Sequence, residues 1–483
     1  MSSLIAFKIL IPVCLIAGII SFHLLTIRDG QPWGDDFSMY LQHARNLAEC
    51  KQYGDPQFIF NPNTPVYAPR QYPIGYPLTI LPLYALFGID FYPYKVFNIF
   101  LLGIALGLVY YWLISNKRLK WWLALLVISM IGLNPFYWDY KDNILSDYLF
   151  FCWLMICFIV LEKYVKSDIK VLTAITLGAL IYWTCCVRTL GICLLPALWS
   201  WSLIEYRRIG IRPLLLIAGG FISGLCLEKL FLGFDNSFLD MVNLYYGWMN
   251  WRLILASVSK QAYNYFHCIA EFWGEIGPYA DTARLMGLMT CLLLFAGYCF
   301  VIRHKITIVE LYFACYVIIL IAFPGYQGFR YLIPFMPFGI YYVLVLIQKL
   351  NSRLLKAGIS FILIFIVAFL YIVQYKQANF KTIVYGIQEP KNQELFAYIR
   401  SSSSEDAIFM CEKPRAIHLY TGRIGIVPHW VDKPRELLDF CRNQGVSYVI
   451  PSGNLLIDLV HKLPDHFEMV FNNEQNSVYK IRY

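Results

Sequence analysis

Two adjacent carboxylates, Asp35 and Asp36, open the stretch GDDFSMYLQHARNLAE at residues 34–49, shortly after a hydrophobic run. An aspartate at a helix N-terminus satisfies orphan N–H groups and the helix dipole, and one is enough for that. The other is left to point at a substrate, as a general base or as a ligand for a divalent ion such as Mg or Mn. A third candidate, Asp147 in WDYKDNILSDYLF, lies inside the start of an apolar run, where a charge is costly and faces a polar cavity. Asp139 and Asp142 of the same stretch fit a solvated loop with Lys141. Three arginines accompany the acids: Arg70 in APRQYPIGYP, Arg188 in CCVRTLGICLLPA and Arg330 in YQGFRYLIPFMPF. Guanidinium groups at such depths either snorkel to lipid headgroups or hold phosphate oxygens bidentately. Carboxylates and arginines converging on one membrane surface imply an anionic, membrane-embedded substrate.

The elements that must position these residues are membrane helices. Of the 483 residues, 59% are hydrophobic and 15% charged, and the mean hydropathy is +0.54, far from a soluble globular balance. Apolar runs long enough to cross a bilayer are expected near 4–25, 93–115, 120–138, 143–163, 168–186, 189–204, 211–231, 284–302, 306–323, 332–349 and 357–375. The first lacks a basic n-region and a small-residue cleavage site and is taken as a retained helix rather than a signal peptide. With the N-terminus in the cytoplasm, the inward segments NKRLK, EKYVKSDIK, EYRRIGIR, RHK and QKLNSRLLK, together with Lys8, carry 15 Lys and Arg against three acids. This positive-inside bias accounts for the net charge of +9 without a nucleic-acid surface, and it places the acids and arginines outside.

Three outward segments exceed ordinary loop length, at 26–92, 232–283 and 376–483. LTILPLYALFG, interrupted by Pro82, is expected to lie on the membrane surface as an interfacial helix. After 375 the composition becomes balanced, and short alternating segments predict a small α/β domain over 376–483, following a membrane module over 1–375. The predicted helices there are ELFAYIRSS, RAIHLYTG and RELLDFCRNQG. DAIFMCE and SYVIP read as strands, and FEMVFNN with SVYKIRY as a hairpin. No Gly-rich phosphate loop or metal-ligand spacing is present. Most of the 14 cysteines sit in apolar runs, and Cys411 with Cys441 is a candidate disulfide in an oxidising compartment.

In order along the chain, GDDFSMY, YPIGYPLTILPLYALFG, RTLGICLLPA and FRYLIPFMPF, followed by an α/β tail, resemble the GT-C class of polyprenyl-phosphate-sugar-dependent glycosyltransferases, in particular bacterial relatives of the protein O-mannosyltransferases and of the lipid A aminoarabinose transferase. The resemblance implies a GT-C fold with about eleven transmembrane helices and a small extracytoplasmic α/β domain. It implies transfer of a sugar from a polyprenyl-phosphate donor, with inversion, to a lipid, glycan or protein acceptor at the outer face of the plasma membrane. The family's four-residue spacing from acid to aromatic matches Asp36 and Tyr40, so Asp36 is the first candidate catalytic carboxylate and Asp35 the second. Asp147 matches an acid near the start of the fourth span, and Arg70 a basic residue before the Pro-rich turn. Arg70, Arg188 and Arg330 are the expected donor-phosphate ligands; Tyr40, Tyr72 and Tyr76 are expected to line the substrate cavity. A divalent metal, if used, would sit on Asp35 or Asp36. Transport of a lipid-linked glycan, and glycan polymerisation or ligation, remain the competing functions.

Overall fold

The computed structural model describes residues 2–483 except 56–57, 65–71, 116, 166–167, 206–208, 233–242, 244–249, 272–279, 324, 385 and 432. Arg70 therefore lies outside the described residues.

Helices overlap each of the eleven expected segments. They are α1 (Ser2–Leu25), α4 (Phe91–Ser115), α5 (Trp121–Gly132), α7 (Asp147–Tyr164), α8 (Val171–Val187), α9 (Leu194–Ile204), α10 (Arg212–Leu232), α12 (Ala280–His304), α13 (Ile308–Ala322), α14 (Met336–Gln348) and α15 (Arg353–Gln377). Between them lie α2 (Asp36–Ala48), α3 (Gly75–Phe87), α6 (Pro135–Tyr140) and α11 (Trp251–Glu271). Five are by themselves long and apolar enough to cross a membrane: α1 from Lys8, α4, α10, α12 from Arg284, and α15. The protein is a multi-pass helical membrane protein.

Two departures from the sequence reading have local causes. The expected span 120–138 breaks after Gly132, because the Asn134 side chain accepts from the N–H groups of Phe136 and Tyr137 and Pro135 starts a new helix, α6. The stretch 232–283, expected as a loop, contains α11, whose 21 residues pack against α12 and α13.

After α15 the chain forms a five-stranded sheet in the order β2-β1-β3-β5-β4. Its elements are α16 (Pro390–Ser402), β1 (Ile408–Met410), α17 (Pro414–Thr421), β2 (Ile424–Ile426), α18 (Pro434–Asn443), β3 (Tyr448–Val449), α19 (Asn454–Lys462), β4 (Phe467–Asn472) and β5 (Ser477–Ile481). The first three strands in spatial order are parallel, and the closing hairpin is antiparallel. The sequence reading missed β2 and α19, which are short. Alternate residues of the strands enter two different cores: Phe409, Ile450 and Val478 join the core that continues through the membrane helices, whereas Met410, Val449 and Ile481 join a second core beneath α18 and α19. Cys411 and Cys441 belong to opposite cores and are free thiols, which corrects the candidate disulfide.

Candidate functional site

Asp35 and Asp36 stand at the start of α2, yet neither carboxylate caps it: Asp35 occupies the N-cap position without a side-chain cap hydrogen bond. Both acids turn instead toward cations brought by distant elements. Asp36 Oδ2 accepts from Arg330 Nη1 at 2.7 Å, and Asp36 Oδ1 accepts from the Tyr72 hydroxyl at 2.6 Å. Arg330 sits in a 3₁₀ turn, Gly328–Leu332, that opens on the left-handed Gly328 (φ +64°), a conformation that costs glycine little. From there its Nε also lies 3.5 Å from Asp147 Oδ2.

Asp147 opens α7, in the first turn where the helix dipole favours an anion. Its other oxygen pairs with Arg188, which follows α8 in extended backbone and packs its guanidinium 4.2 Å from the Tyr331 ring centroid. Asp36, Arg330, Asp147 and Arg188 thus form one continuous chain of ion pairs. Tyr40 from α2 hydrogen-bonds Ser146 at 3.1 Å and makes edge contacts with the rings of Tyr72 and Tyr76, at 5.1 and 4.7 Å. Tyr40 and Tyr76 are buried, and they brace the α2 helix against α7 and α3.

The sequence reading missed two cations from beyond residue 400. Arg415, on the first turn of α17, donates to the Tyr72 hydroxyl at 2.7 Å, and its Nε lies 3.6 Å from Asp35 Oδ2. The Ala416 N–H donates to Asp35 Oδ1 at 3.2 Å, and Lys413 donates to the Trp33 carbonyl. The signal in the sequence is the basic pair in EKPRAIHLY beside a helix-starting proline.

The two adjacent acids differ in electrostatics. Burial acts to raise Asp36, but Arg330 and the Tyr72 hydrogen bond outweigh it and hold the carboxyl at about 2. For Asp35 burial wins over Arg415, Ala416 N–H and Lys413 and pushes the carboxyl up to about 6. The Asp36 side chain is 33% exposed against 10% for Asp35, so Asp36 is the acid an incoming molecule can touch.

Asp139 and Asp142, expected in a solvated loop, belong to a separate cluster. Asp142 and Lys141 are fully buried, and Arg28 donates to both aspartates at 2.7 Å while stacking on Trp138. This cluster ties the exit of α1 to the α6–α7 connection.

No family model and no curated protein matches the chain in sequence. Solved structures do match. ArnT from Cupriavidus metallidurans bound to undecaprenyl phosphate superposes with a TM-score of 0.56 at 13% identity, over 97% of each chain. The archaeal oligosaccharyltransferase AglB from Archaeoglobus fulgidus, in complex with an inhibitory peptide and a dolichol-phosphate, gives 0.57 at 10% identity, over 99% of this chain and 75% of that one. The Archaeoglobus fulgidus oligosaccharyltransferase complex with Zn and sulfate gives 0.57 at 13% identity, over 90% and 67%. The chain has the GT-C fold. Its C-terminal sheet is included in the match to ArnT, which spans nearly the whole of both proteins.

The expected metal position does not fit these residues. Each of the three acids already faces a guanidinium group, so a dication on Asp35 or Asp36 would be repelled by Arg330, Arg415 and Lys413. Among the described residues no group of three or more His, Cys, Asp and Glu could hold a metal ion. The arrangement suits an anion: three carboxylates face three guanidinium groups and the Lys413 ammonium, a surplus of positive charge.

Proposed function

We propose that this protein is a GT-C glycosyltransferase of the plasma membrane, with its N-terminus in the cytoplasm and its C-terminal domain (376–483) outside. It moves a sugar from a polyprenyl-phosphate donor to a lipid, glycan or protein acceptor. The observation that carries this reading is the shared guanidinium of Arg330, which joins Asp36 to Asp147 and so gathers the acids and Arg188 at one site on a GT-C scaffold.

In this reading Arg188 and Arg330, with Arg70, hold the donor phosphate and stabilise the charge it gains as the bond from sugar to phosphate oxygen breaks. The phosphate takes a share of guanidinium hydrogen bonds that the aspartates hold in its absence. A carboxyl held at about 2 is ionised at every working pH and is a weak base. Asp36 therefore acts mainly by orienting the acceptor's nucleophile, and it receives the proton as attack on C1 completes. Displacement from the face opposite the leaving phosphate inverts the anomeric centre. Tyr72 keeps Asp36 directed, and Tyr40 and Tyr76 form the wall behind it.

The test is native mass spectrometry of the full chain, as purified and after addition of undecaprenyl phosphate, for wild type, Arg330→Ala, Arg188→Ala and Arg70→Ala. A polyprenyl phosphate or phospho-sugar held by wild type and lost in the arginine variants supports the reading, and its mass defines the sugar class. Only bulk phospholipid, identical in all four folded proteins, would overturn it.

A further inference from the structure

The acids of the first outward loop are held as much by the C-terminal domain as by the membrane helices. The Tyr72 hydroxyl has one proton, which it donates to Asp36 Oδ1, so it must accept from Arg415, a donor that is always charged. The hydroxyl is thereby fixed in direction, and with it the plane of the Asp36 carboxylate, whose other oxygen is held by Arg330. We infer that the C-terminal domain is part of the transfer site, with Arg415 as a positioning residue that sets Asp36 through Tyr72, so that the paired acids are aligned only while the domain is docked. This inference rests on the transferase reading above and assigns the domain a role within it.

Arg415 is placed by its own fold. It follows Pro414 at the start of α17, which connects the parallel strands β1 and β2, and a side chain at Gly425 on β2 would collide with Pro414 at 2.5 Å. Only glycine lets the start of α17 lie this close to the sheet. The Arg415 side chain is 3% exposed, and its guanidinium carbon lies 4.8 Å from the Tyr72 ring centroid. Around Asp36 the charged and titratable groups are Arg330 from the 3₁₀ turn, Tyr72 from the chain before α3, Tyr40 from α2, Asp35 beside it, and Lys413 and Arg415 at the start of α17.

Docking does not depend on Arg415. The Ile59 N–H donates to the Gly425 carbonyl at 2.9 Å, so the first outward loop adds a rung to the β2 edge, and Asn61 donates to the Val427 carbonyl at 3.0 Å. Residues 29–31 exchange backbone hydrogen bonds with 381–387, and Trp33 stacks on Phe396. A domain held along this length stays in place when one guanidinium is removed, which makes the role of Arg415 separable from that of a staple.

The experiment follows the Asp36 carboxyl by infrared difference spectroscopy of the full chain labelled with ¹³C-aspartate, the band being assigned by its loss in Asp36→Asn. The same samples are tested for thermal stabilisation by added undecaprenyl phosphate. In Arg415→Gln and in Tyr72→Phe the carboxyl should protonate at a higher pH than in wild type. The double variant should add little, because both act along one chain of hydrogen bonds. Arg415→Lys, which keeps the charge without the fork, should restore part of the shift. Stabilisation by undecaprenyl phosphate should persist in all of them. An unchanged Asp36 titration in both single variants, with only a lower melting temperature, would overturn the inference and leave Arg415 a staple. Absence of any stabilisation of wild type by undecaprenyl phosphate would instead count against the transferase reading, so the two failures are distinguishable.

Discussion

Replacing Arg330 by glutamine removes the cation that bridges Asp36 and Asp147. At 2.7 and 3.5 Å, and with an effective dielectric of ~20, the gross attractions are roughly 6 and 5 kcal/mol. Desolvation of the three groups offsets most of this, and removing one partner of a buried pair typically leaves a loss of ~3–5 kcal/mol. Here the loss is smaller, because Asp36 is one-third exposed and keeps Tyr72, and Asp147 keeps Arg188. A net cost of about 2 kcal/mol at neutral pH is expected, seen as a melting temperature lowered by ~2–4 °C in a fixed detergent. The pH dependence carries the sharper test. In wild type the Asp36 carboxyl is held at about 2, below its unfolded value, so the stability it contributes is present above the unfolded pKa and lost as pH falls through about 2. Without Arg330 the folded pKa should rise by ~1–3 units. The variant then takes up a proton at a pH where wild type does not, and the gap between them narrows as the medium is acidified from neutral toward about pH 3.5. A double-mutant cycle with Asp36→Asn should give a coupling of ~1–2 kcal/mol, since the amide no longer needs the cation. A gap that is the same at about pH 7.5 and about pH 3, or a coupling of zero, would refute the assignment of Arg330 as the cation that holds Asp36 ionised.

The other predictions are more local. Asp35, pushed up to about 6 by burial, holds a proton in the folded state that it loses in the unfolded state between its unfolded value and about 6, so stability should fall as pH rises through that window, and Asp35→Asn should flatten the fall in a melting series. Gly75→Ala places a Cβ 2.6 Å from the Cys186 carbonyl carbon at the junction of α3 and α8, and should destabilise by ~1–3 kcal/mol in thermal melts, whereas Gly219→Ala, with open space around it, should be near neutral. Arg28→Ala leaves the buried Asp142 with Lys141 as its remaining partner and should cost on the order of 2 kcal/mol, with a double-mutant cycle against Asp142→Asn showing the coupling. Asp36→Asn should lower the melting temperature by only a few degrees, roughly the loss of its pairing with Arg330, while lowering sugar transfer by ~10²–10⁴-fold.

Hydropathy and charge determined much of this protein in advance. A helix overlaps each of the eleven expected segments because a chain in lipid must satisfy its backbone internally, and five of these helices are long and apolar enough to cross by themselves. Asp36, Asp147, Arg188 and Arg330 stood out as candidates because an ionisable group beside an apolar run demands a partner or a polar surface. The partners themselves were not legible. Asp36 meets Arg330 across 294 positions and Tyr72 meets Arg415 across 343, and no local periodicity carries such a pairing. The aspartates could equally have capped α2, a local interaction that a sequence displays; the tertiary structure decided against it by offering guanidinium groups, whose charge outweighs an orphan N–H. Solvation went the same way. Asp142 and Lys141 read as loop residues, and their burial rests on the pair they make with each other and on Arg28, which arrives from the end of α1. The sequence by itself determined which segments are helices and which ionisable residues stand beside apolar runs. Folding decided which charge faces which, because an ion pair's energy depends on separation and burial, and both are set by elements hundreds of residues apart.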